Sequence, residues 1–372
     1  SQNAFAAGLA RPSNHGGERF DWYAERNSKA DALSFFGSAT IDFTEQLQLS
    51  GGLRWTNENK STTISFPFVH DLVSTVFGFV SSGFQTEPIK FSDSNLSPEV
   101  TLRYKATDDI NLYAAFKTGF KSGGVDNNAL PSAALRNLNS PDPAVRAAAE
   151  RPLIFRSERS QGGEIGIKTQ LADRTITLNA VAFYYSFKDL QIQEFSVAIF
   201  NFETYNASKV VTQGLDVDWA WRTPVKGLSL SGAASYTDTR YKQDIVRPNL
   251  SVAIVNGRST ARAPRFSGNI AFDWKTPMSD ALELGLGGNL SYSDSYWANP
   301  VDTIYRQGSF VTFDSTISIG ALDRKWSLAL IGTNLTNKLW TNTEGAAPFT
   351  PGSRVHTQNR GRQVFLQAGF KF

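Results

Sequence analysis

The chain has 372 residues, with 37 Lys and Arg against 34 Asp and Glu for a formal net charge of +3, and it has no cysteine. Such a balanced charge leaves no electrostatic footprint for nucleic acid, and the lack of thiols excludes a disulfide framework, a thiolate metal site and a cysteine nucleophile. No window approaches the roughly 18 consecutive apolar residues of a spanning helix, the longest run, Phe66 to Val80, being broken by His70 and Asp71.

Gly 29, Phe 27, Tyr 11 and Trp 8 against Met 1 describe a chain rich in residues that pack on sheets. The chain opens at Ser1 without a basic-then-apolar leader, which is expected of a processed protein or a fragment. A first strand is predicted from 32 to 44. It enters a tight turn at Thr44 to Gln46, after which Leu47, Leu49, Gly51, Leu53 and Trp55 alternate with Gln48, Ser50, Gly52, Arg54 and Thr56. Side chains on a strand alternate between faces, so this period of two separates an apolar face from a wet one.

The same arithmetic repeats down the chain. Leu215, Val217, Trp219 and Trp221 oppose Asp216, Asp218 and Ala220, and Phe266 to Trp274, Leu282 to Tyr292 and Phe313 to Ile319 alternate likewise. Further tight turns fall at Ala106 to Asp109, Ala172 to Arg174, Thr223 to Gly227, Thr276 to Asp280 and Leu322 to Arg324. Between them lie long polar links at about 58–91, 121–158, 189–209, 241–261, 297–308 and 339–360. In the second link, Ser140-Pro141-Asp142-Pro143 ahead of Ala144 to Glu150 predicts a short capped helix.

Short and long connections alternate strictly, as in outer-membrane barrels with short periplasmic turns and long extracellular loops. The fold class read from the sequence is therefore all-β, an antiparallel transmembrane β-barrel of about thirteen strands here. An odd number of antiparallel strands does not close by simple alternation, so the expectation is the C-terminal part of a barrel of about 22 strands, with about nine strands upstream. Trp55, Tyr104, Trp219, Trp221, Tyr236, Trp274, Tyr292, Trp297 and Trp326 cluster near strand ends and are expected to form interfacial girdles.

Several stretches resemble the later barrel of TonB-dependent receptors, in their iron-siderophore-like branch. Leu112 to Gly124 carries a Gly-Phe-Lys-Ser-Gly-Gly strand end, and Glu164-Ile165-Gly166-Ile167-Lys168 with Ala182-Phe183-Tyr184 and Asp189-Leu190-Gln191 is similar to the family's next hairpin. Ala263-Pro264-Arg265-Phe266, Asn334-Leu335-Thr336-Asn337 with Trp340, and the alternating ending Val364, Leu366, Ala368, Phe370, Phe372 fall in the family's order. The resemblance runs from about 17 to 372. It implies residues 1–372 as the C-terminal portion of the barrel domain, with the plug and first strands outside the chain. It also implies location in the outer membrane of a Gram-negative bacterium and active uptake of a scarce nutrient, first a ferric siderophore. The partners implied are outer-membrane lipid, the protein's own plug domain, the TonB complex through the N-terminal region, the barrel assembly machinery at Phe372 and the small-molecule ligand. No cofactor and no metal site are expected. A passive porin-like channel, or uptake of cobalamin, haem or an oligosaccharide, are the alternatives.

By parity, Arg54, Arg103, Lys105, Lys117, Glu164, Lys168, Asp216, Asp218, Asp273 and Asp314 are the expected lumen-facing charges, as salt links, plug contacts or attractors of an anionic ligand. In the links, Tyr205, Tyr241, Tyr296, Trp297, Tyr305, Arg306, Trp340, Arg354 and His356 are candidates to stack on or pair with ligand, because aromatic and Arg side chains dominate hot spots. Catalysis is not expected: His15, His70 and His356 lie in links or near the start, and no Gly-x-Ser-x-Gly elbow occurs.

Overall fold

The computed structural model describes residues 22–371 apart from 128–129, 197–200, 246–253, 255, 300–304 and 348–352, so His15 and Phe372 lie outside the described residues. Thirteen long strands follow one another in chain order: β1 (Trp22–Asp42), β2 (Leu47–Val69), β3 (Ile89–Lys105), β4 (Ile110–Lys121), β5 (Glu158–Leu171), β6 (Ile176–Ser196), β7 (Asn201–Arg222), β8 (Leu228–Tyr241), β9 (Phe266–Pro277), β10 (Leu282–Ser293), β11 (Phe310–Ala321), β12 (Trp326–Thr333) and β13 (Gln363–Phe370). Each pairs antiparallel with its sequence neighbours, giving one meandering sheet whose path begins at β1 and ends at β13. A short segment, Phe84–Gln85, also pairs with β2. The six tight turns fall where the sequence placed them. In the turn between β7 and β8, Gly227 has φ of 79°, and a side chain there would collide with the Lys275 carbonyl.

The sheet sorts its side chains as the alternation required. Leu53, Leu102, Ile165, Leu215, Ile270, Leu290, Ile317 and Leu330 share one face and stand exposed, Ile165 at 64% and Ile270 at 60%. An apolar belt of this extent is unfavourable in water and favourable against hydrocarbon. Of the expected girdle residues, Trp55, Tyr104, Trp221, Tyr236, Tyr292 and Trp326 are exposed on that face. Phe266 and Trp274 on β9 mark its two levels; eight residues apart, they are separated by about 27 Å of strand at ~3.4 Å per residue, or roughly 20 Å of height at the usual tilt of about 40°.

Two expected links prove to be strand instead. β1 and β2 pair up to Trp22 opposite Val69, with one register shift between Tyr23 and Glu25, and β6 and β7 pair up to Ser196 opposite Asn201, so much of 58–91 and 189–209 is ladder. Above the belt both faces are polar, as in Asn57, Glu58, Asn59 and Lys60. A reading that looks for one apolar face ends there, although a ladder wet on both sides still satisfies its own backbone. The 23 residues of β2 span about 78 Å, far more than the nine to eleven residues of a crossing.

The buried apolar residues sit in these outer parts, and the wall itself has none of comparable extent. Ile64, Phe66 and Val69 of β2 pack with Val73, Phe79, Val80, Ile89, Leu135, Leu138 and Leu153. Helix α1 (Asp71–Phe77), which no sequence signal announced, is capped by the His70 Nδ1 accepting from Leu72 N–H at 3.1 Å and closes on Gly78 at φ 63°. Helix α2 (Pro143–Glu150) is the expected one, with the Asp142 carboxylate accepting from Ala144 N–H at 2.8 Å.

The two faces predict opposite tolerances. Ile165→Arg should destabilise the folded protein in lipid by about 2–4 kcal/mol, whereas Thr316→Arg on the polar face should cost under about 1 kcal/mol. Urea titration of the protein folded into vesicles measures both, and equal losses would contradict the assignment of faces.

Candidate functional site

Directly opposed residues in an antiparallel ladder share a face, and so do residues two apart. Following those rules across the register, Arg54 stands opposite Ser97, Arg103 opposite Tyr113, Lys117 opposite Glu99, Glu164 opposite Ala115, and Lys168 opposite Asn111 and Asn179. Asp218 lies opposite Asn179, Asp216 opposite Ser235, Asp273 opposite Gly287, and Asp314 opposite Asn289. All ten charges selected by parity, Lys105 included, therefore occupy the face turned away from the apolar belt.

Their partners differ. Lys117 pairs with Glu164 at 2.8 Å, and the Tyr185 hydroxyl donates to the same carboxylate at 3.2 Å. Lys105 pairs with Asp108 at 2.6 Å. Arg54 lies over the Phe36 ring, 4.7 Å from its centroid, and Lys168 lies 5.9 Å from the centroid of Tyr113. Asp216 accepts from the Ser235 hydroxyl, Asp218 from the Asn179 amide at 2.9 Å, and Asp314 from Asn334 N–H at 2.6 Å. A recess of about 650 Å³ opens among Arg103, Lys105, Tyr113, Lys117, Glu164 and Lys168, and another of about 340 Å³ among Asp273, Lys275 and Asp314.

The loop candidates fall into two groups. Tyr296 donates to the Thr341 carbonyl at 2.9 Å, and the Tyr305 hydroxyl accepts from the Thr341 hydroxyl at 3.1 Å. Gln307 Oε1 accepts from Thr341 N–H at 2.8 Å. Arg354 pairs with Glu344, whose side chain is 3% exposed, at 2.7 Å, and His356 stands exposed opposite Glu344 in the hairpin of Thr341–Ala346 and Arg354–Gln358. Trp297 has the guanidinium of Arg258 5.3 Å and that of Arg306 5.7 Å from its ring centroid, so it belongs to the loops and not to a girdle. Trp340 stacks on Phe310 at 4.7 Å between centroids. These residues join the last two long connections into one body.

Tyr205 and Tyr241 belong elsewhere. They pack with Ile192, Ala207, Val210 and Ile254 in a second core. Asp238 and Arg240, ion-paired at 2.7 Å, already stand on the belt side of β8, so the ladder has left any hydrocarbon before Tyr241. Burial pushes the Tyr241 hydroxyl up to about 12. Burial, helped by neighbouring Tyr305, also raises that of Tyr296.

Residue type and spacing gave no site role to the residues that pin the loops. Thr341, at 1% exposure, receives three partners, yet nothing in its type or spacing marks it. Asp189 accepts from Arg156 at 2.6 Å, and the Asn206 amide donates to the Arg156 and Asp189 carbonyls at 2.8 Å each, which ties the second long connection to the β6–β7 extension. Two of the stretches that carry the resemblance have local structural jobs. Asn334 takes φ of 47°, and its side chain bonds Lys338 N–H at 3.0 Å and the Lys338 carbonyl at 2.8 Å, a turn that Asn tolerates well. At Gly123 a Cβ would strike the Phe155 carbonyl and the Phe91 ring.

Residues 3–335 match the family model described as TonB dependent receptor-like, beta-barrel. The chain is 23% identical over 348 residues to the pesticin receptor of Yersinia pestis, covering 92% of this chain and 44% of that protein. It is 27% identical over 163 residues to a probable TonB-dependent receptor, BfrD, of Bordetella pertussis, covering 44% of this chain and 19% of the other. Among solved structures it superposes on the ferric yersiniabactin uptake receptor FyuA from Yersinia pestis with a TM-score of 0.72 at 19% identity, covering 94% of this chain and 47% of that one. It also matches the siderophore receptor PiuA from Acinetobacter baumannii, TM-score 0.66 at 17% identity, over 93% and 44%. The chain thus spans about half the length of the relatives it matches.

Two outcomes test the loop geometry. The Tyr241 phenol is buried neutral, so its contribution should be complete below pH 10 and lost as pH rises from 10 to 12, roughly 2–3 kcal/mol at about 1.4 kcal/mol per unit; amide exchange of residues 192 and 207–211 should show this loosening, and Tyr241→Phe should abolish it. Arg354→Met should strand the Glu344 carboxylate and open the 341–358 hairpin by about 3–5 kcal/mol, whereas unchanged exchange protection there would deny the pair its role.

Proposed function

Because this chain belongs to the TonB dependent receptor-like β-barrel family, whose members are receptors and transporters and not enzymes, we propose that it forms the C-terminal wall of a closed, plugged barrel in the outer membrane of a Gram-negative bacterium. The observation that carries this reading is the two-faced sheet, with an exposed apolar belt on one side and every parity-selected charge on the other. In a bilayer the two free edges, β1 and β13, require further strands, since unpaired amides in hydrocarbon cost several kcal/mol each. Both edge strands run in the same direction, so an odd number of strands must stand between them; about nine gives a barrel of 22.

The cargo proposed is a ferric siderophore, taken up through the TonB complex. Support comes from the relatives, of which FyuA is a ferric yersiniabactin uptake receptor and PiuA a siderophore receptor. The loop bodies at one end of the strands are rich in Tyr, Trp and Arg; Arg pairs with anionic groups and Tyr and Trp offer flat contact area. A structure described as the copper transporter OprC also superposes, with a TM-score of 0.64, so the likeness of fold does not select the cargo.

Expression of the full parent protein in cells with and without TonB, supplied with a panel of ferric siderophores, cobalamin, haem and oligosaccharides, tests both parts. One ferric siderophore should accumulate, and only with TonB present. Uptake of general small solutes without TonB would replace this reading with a passive channel, and TonB-dependent uptake of another cargo would retain the transporter and discard the siderophore.

A further inference from the structure

On the belt side of the sheet, just beyond the apolar residues, cations meet cations. Lys188 on β6 stands directly opposite Lys209 on β7. Past the end of β8, Lys242 N–H donates to the Lys209 carbonyl at 2.9 Å, continuing the ladder by one pair, so Lys242 is directly opposite Lys209 in turn. Lys188 lies an even number of residues beyond Tyr184, Lys209 beyond Leu215 and Lys242 beyond Tyr236, which puts all three on the face of those exposed residues. All three lysines are exposed. Like charges directly opposed across strands destabilise a sheet, and among the described residues none of the three is ion-paired. The carboxylates around them serve other groups: Asp238 takes Arg240 at 2.7 Å and Arg265 at 3.8 Å, Asp189 takes Arg156 at 2.6 Å, and Asp93 takes Arg159, the residue opposite Lys188, at 2.8 Å. Asp244 accepts from Asn256 N–H at 2.6 Å.

From Lys188 back toward the belt, the same face opens into a groove of about 580 Å³. The small side chains of Ala114, Gly163 and Ala182 leave it open among Leu102, Phe116, Ile165 and Tyr184. Tyr184 edges the groove, and Lys188 follows it about 14 Å further along β6 at ~3.4 Å per residue. An apolar groove in the belt takes a hydrocarbon chain, and a row of unpaired lysines beyond it takes anions. The row crosses two strand spacings, about 10 Å, which is more than one phosphate group spans. A free anion would leave the groove empty, and an uncharged lipid would leave the lysines facing one another.

We propose that Lys188, Lys209 and Lys242 bind the headgroup of a lipid that carries at least two phosphate groups, with one of its acyl chains in the groove at Ala182. This rests on the membrane reading above, which places the belt in hydrocarbon and the long connections outside the cell. The phosphates neutralise the row and relieve the repulsion across β6, β7 and the end of β8.

Native mass spectrometry of the full parent protein in detergent, titrated with diphosphoryl lipid A, monophosphoryl lipid A or phosphatidylcholine, tests this, with heat-modifiable gel migration confirming a folded barrel in every variant. The parent should retain one diphosphoryl lipid, bind the monophosphoryl form more weakly and phosphatidylcholine more weakly again. K188Q/K209Q/K242Q should weaken diphosphoryl binding by about fivefold per lysine, and the charge-preserving K188R/K209R/K242R should keep it. A182L, which fills the groove and leaves the lysines intact, should also weaken it. A folded K188Q/K209Q/K242Q that binds like the parent would overturn the site and leave the membrane reading standing, and a folded A182L that binds like the parent would strike the acyl chain from it. Pyrophosphate competing at the lipid's own concentration would show a free-anion site, and equal binding of phosphatidylcholine a nonselective surface; either overturns the proposal. A parent that does not insert into lipid vesicles would overturn both.

Discussion

The antiparallel backbone ladder is the constraint on which the rest depends. From β1 to β13 each strand donates to and accepts from its sequence neighbours, which satisfies amide groups that hydrocarbon would leave stranded at several kcal/mol each. Register matters as much as pairing. A slip of one residue would turn every side chain to the opposite face, bringing Arg103, Lys168 and Asp216 against lipid and Ile165 and Ile270 into the polar side. The ladder therefore decides where charge can exist in this molecule.

Once the ladder carries the wall, the wall needs no buried apolar core of its own. Its large apolar side chains point outward and stay exposed, and the packed apolar residues collect where strands rise beyond the belt, around Ile64 and Phe66 in one place and around Tyr241 and Ile254 in another. These outer bodies are also cross-braced by polar contacts, among them Arg156 with Asp189 and Asn206, and Thr341 with Tyr296 and Gln307. Such contacts among the described residues hold these side chains in place, which lowers the entropy that a captured ligand would have to remove and supports their proposed part in capture. It also means that several aromatic side chains are already engaged: Trp340 is stacked on Phe310, and Tyr241 is almost wholly enclosed.

How much of this was legible in the sequence varies with the range of the interaction. Alternation located β10 and β11 and the faces of their residues, because parity is a property of the strand itself. Turn chemistry located the six tight connections, and a proline-led, aspartate-capped segment located α2. The strand count followed from the turns. The limits of the strands did not follow: at Asn57 to Lys60 a ladder wet on both faces has the same composition as a loop, and around Asp189 to Lys209 the belt's alternation gives way to residues such as Ile192 and Ala207 that pack in an outer core.

The sequence by itself determined the class, the faces and the sign of each charge, since these follow from period two and from residue chemistry. Only the tertiary structure decided which charges meet. Lys117 and Glu164 stand 47 residues apart and bond at 2.8 Å, while Arg103 and Lys168 line the same recess without a carboxylate partner of their own. Tertiary structure alone also separated Tyr296 and Tyr305, which gather on Thr341, from Tyr205 and Tyr241, which serve a different core. The physical reason is that pairing between distant strands is set by register and loop packing, quantities that no local window of side chains contains.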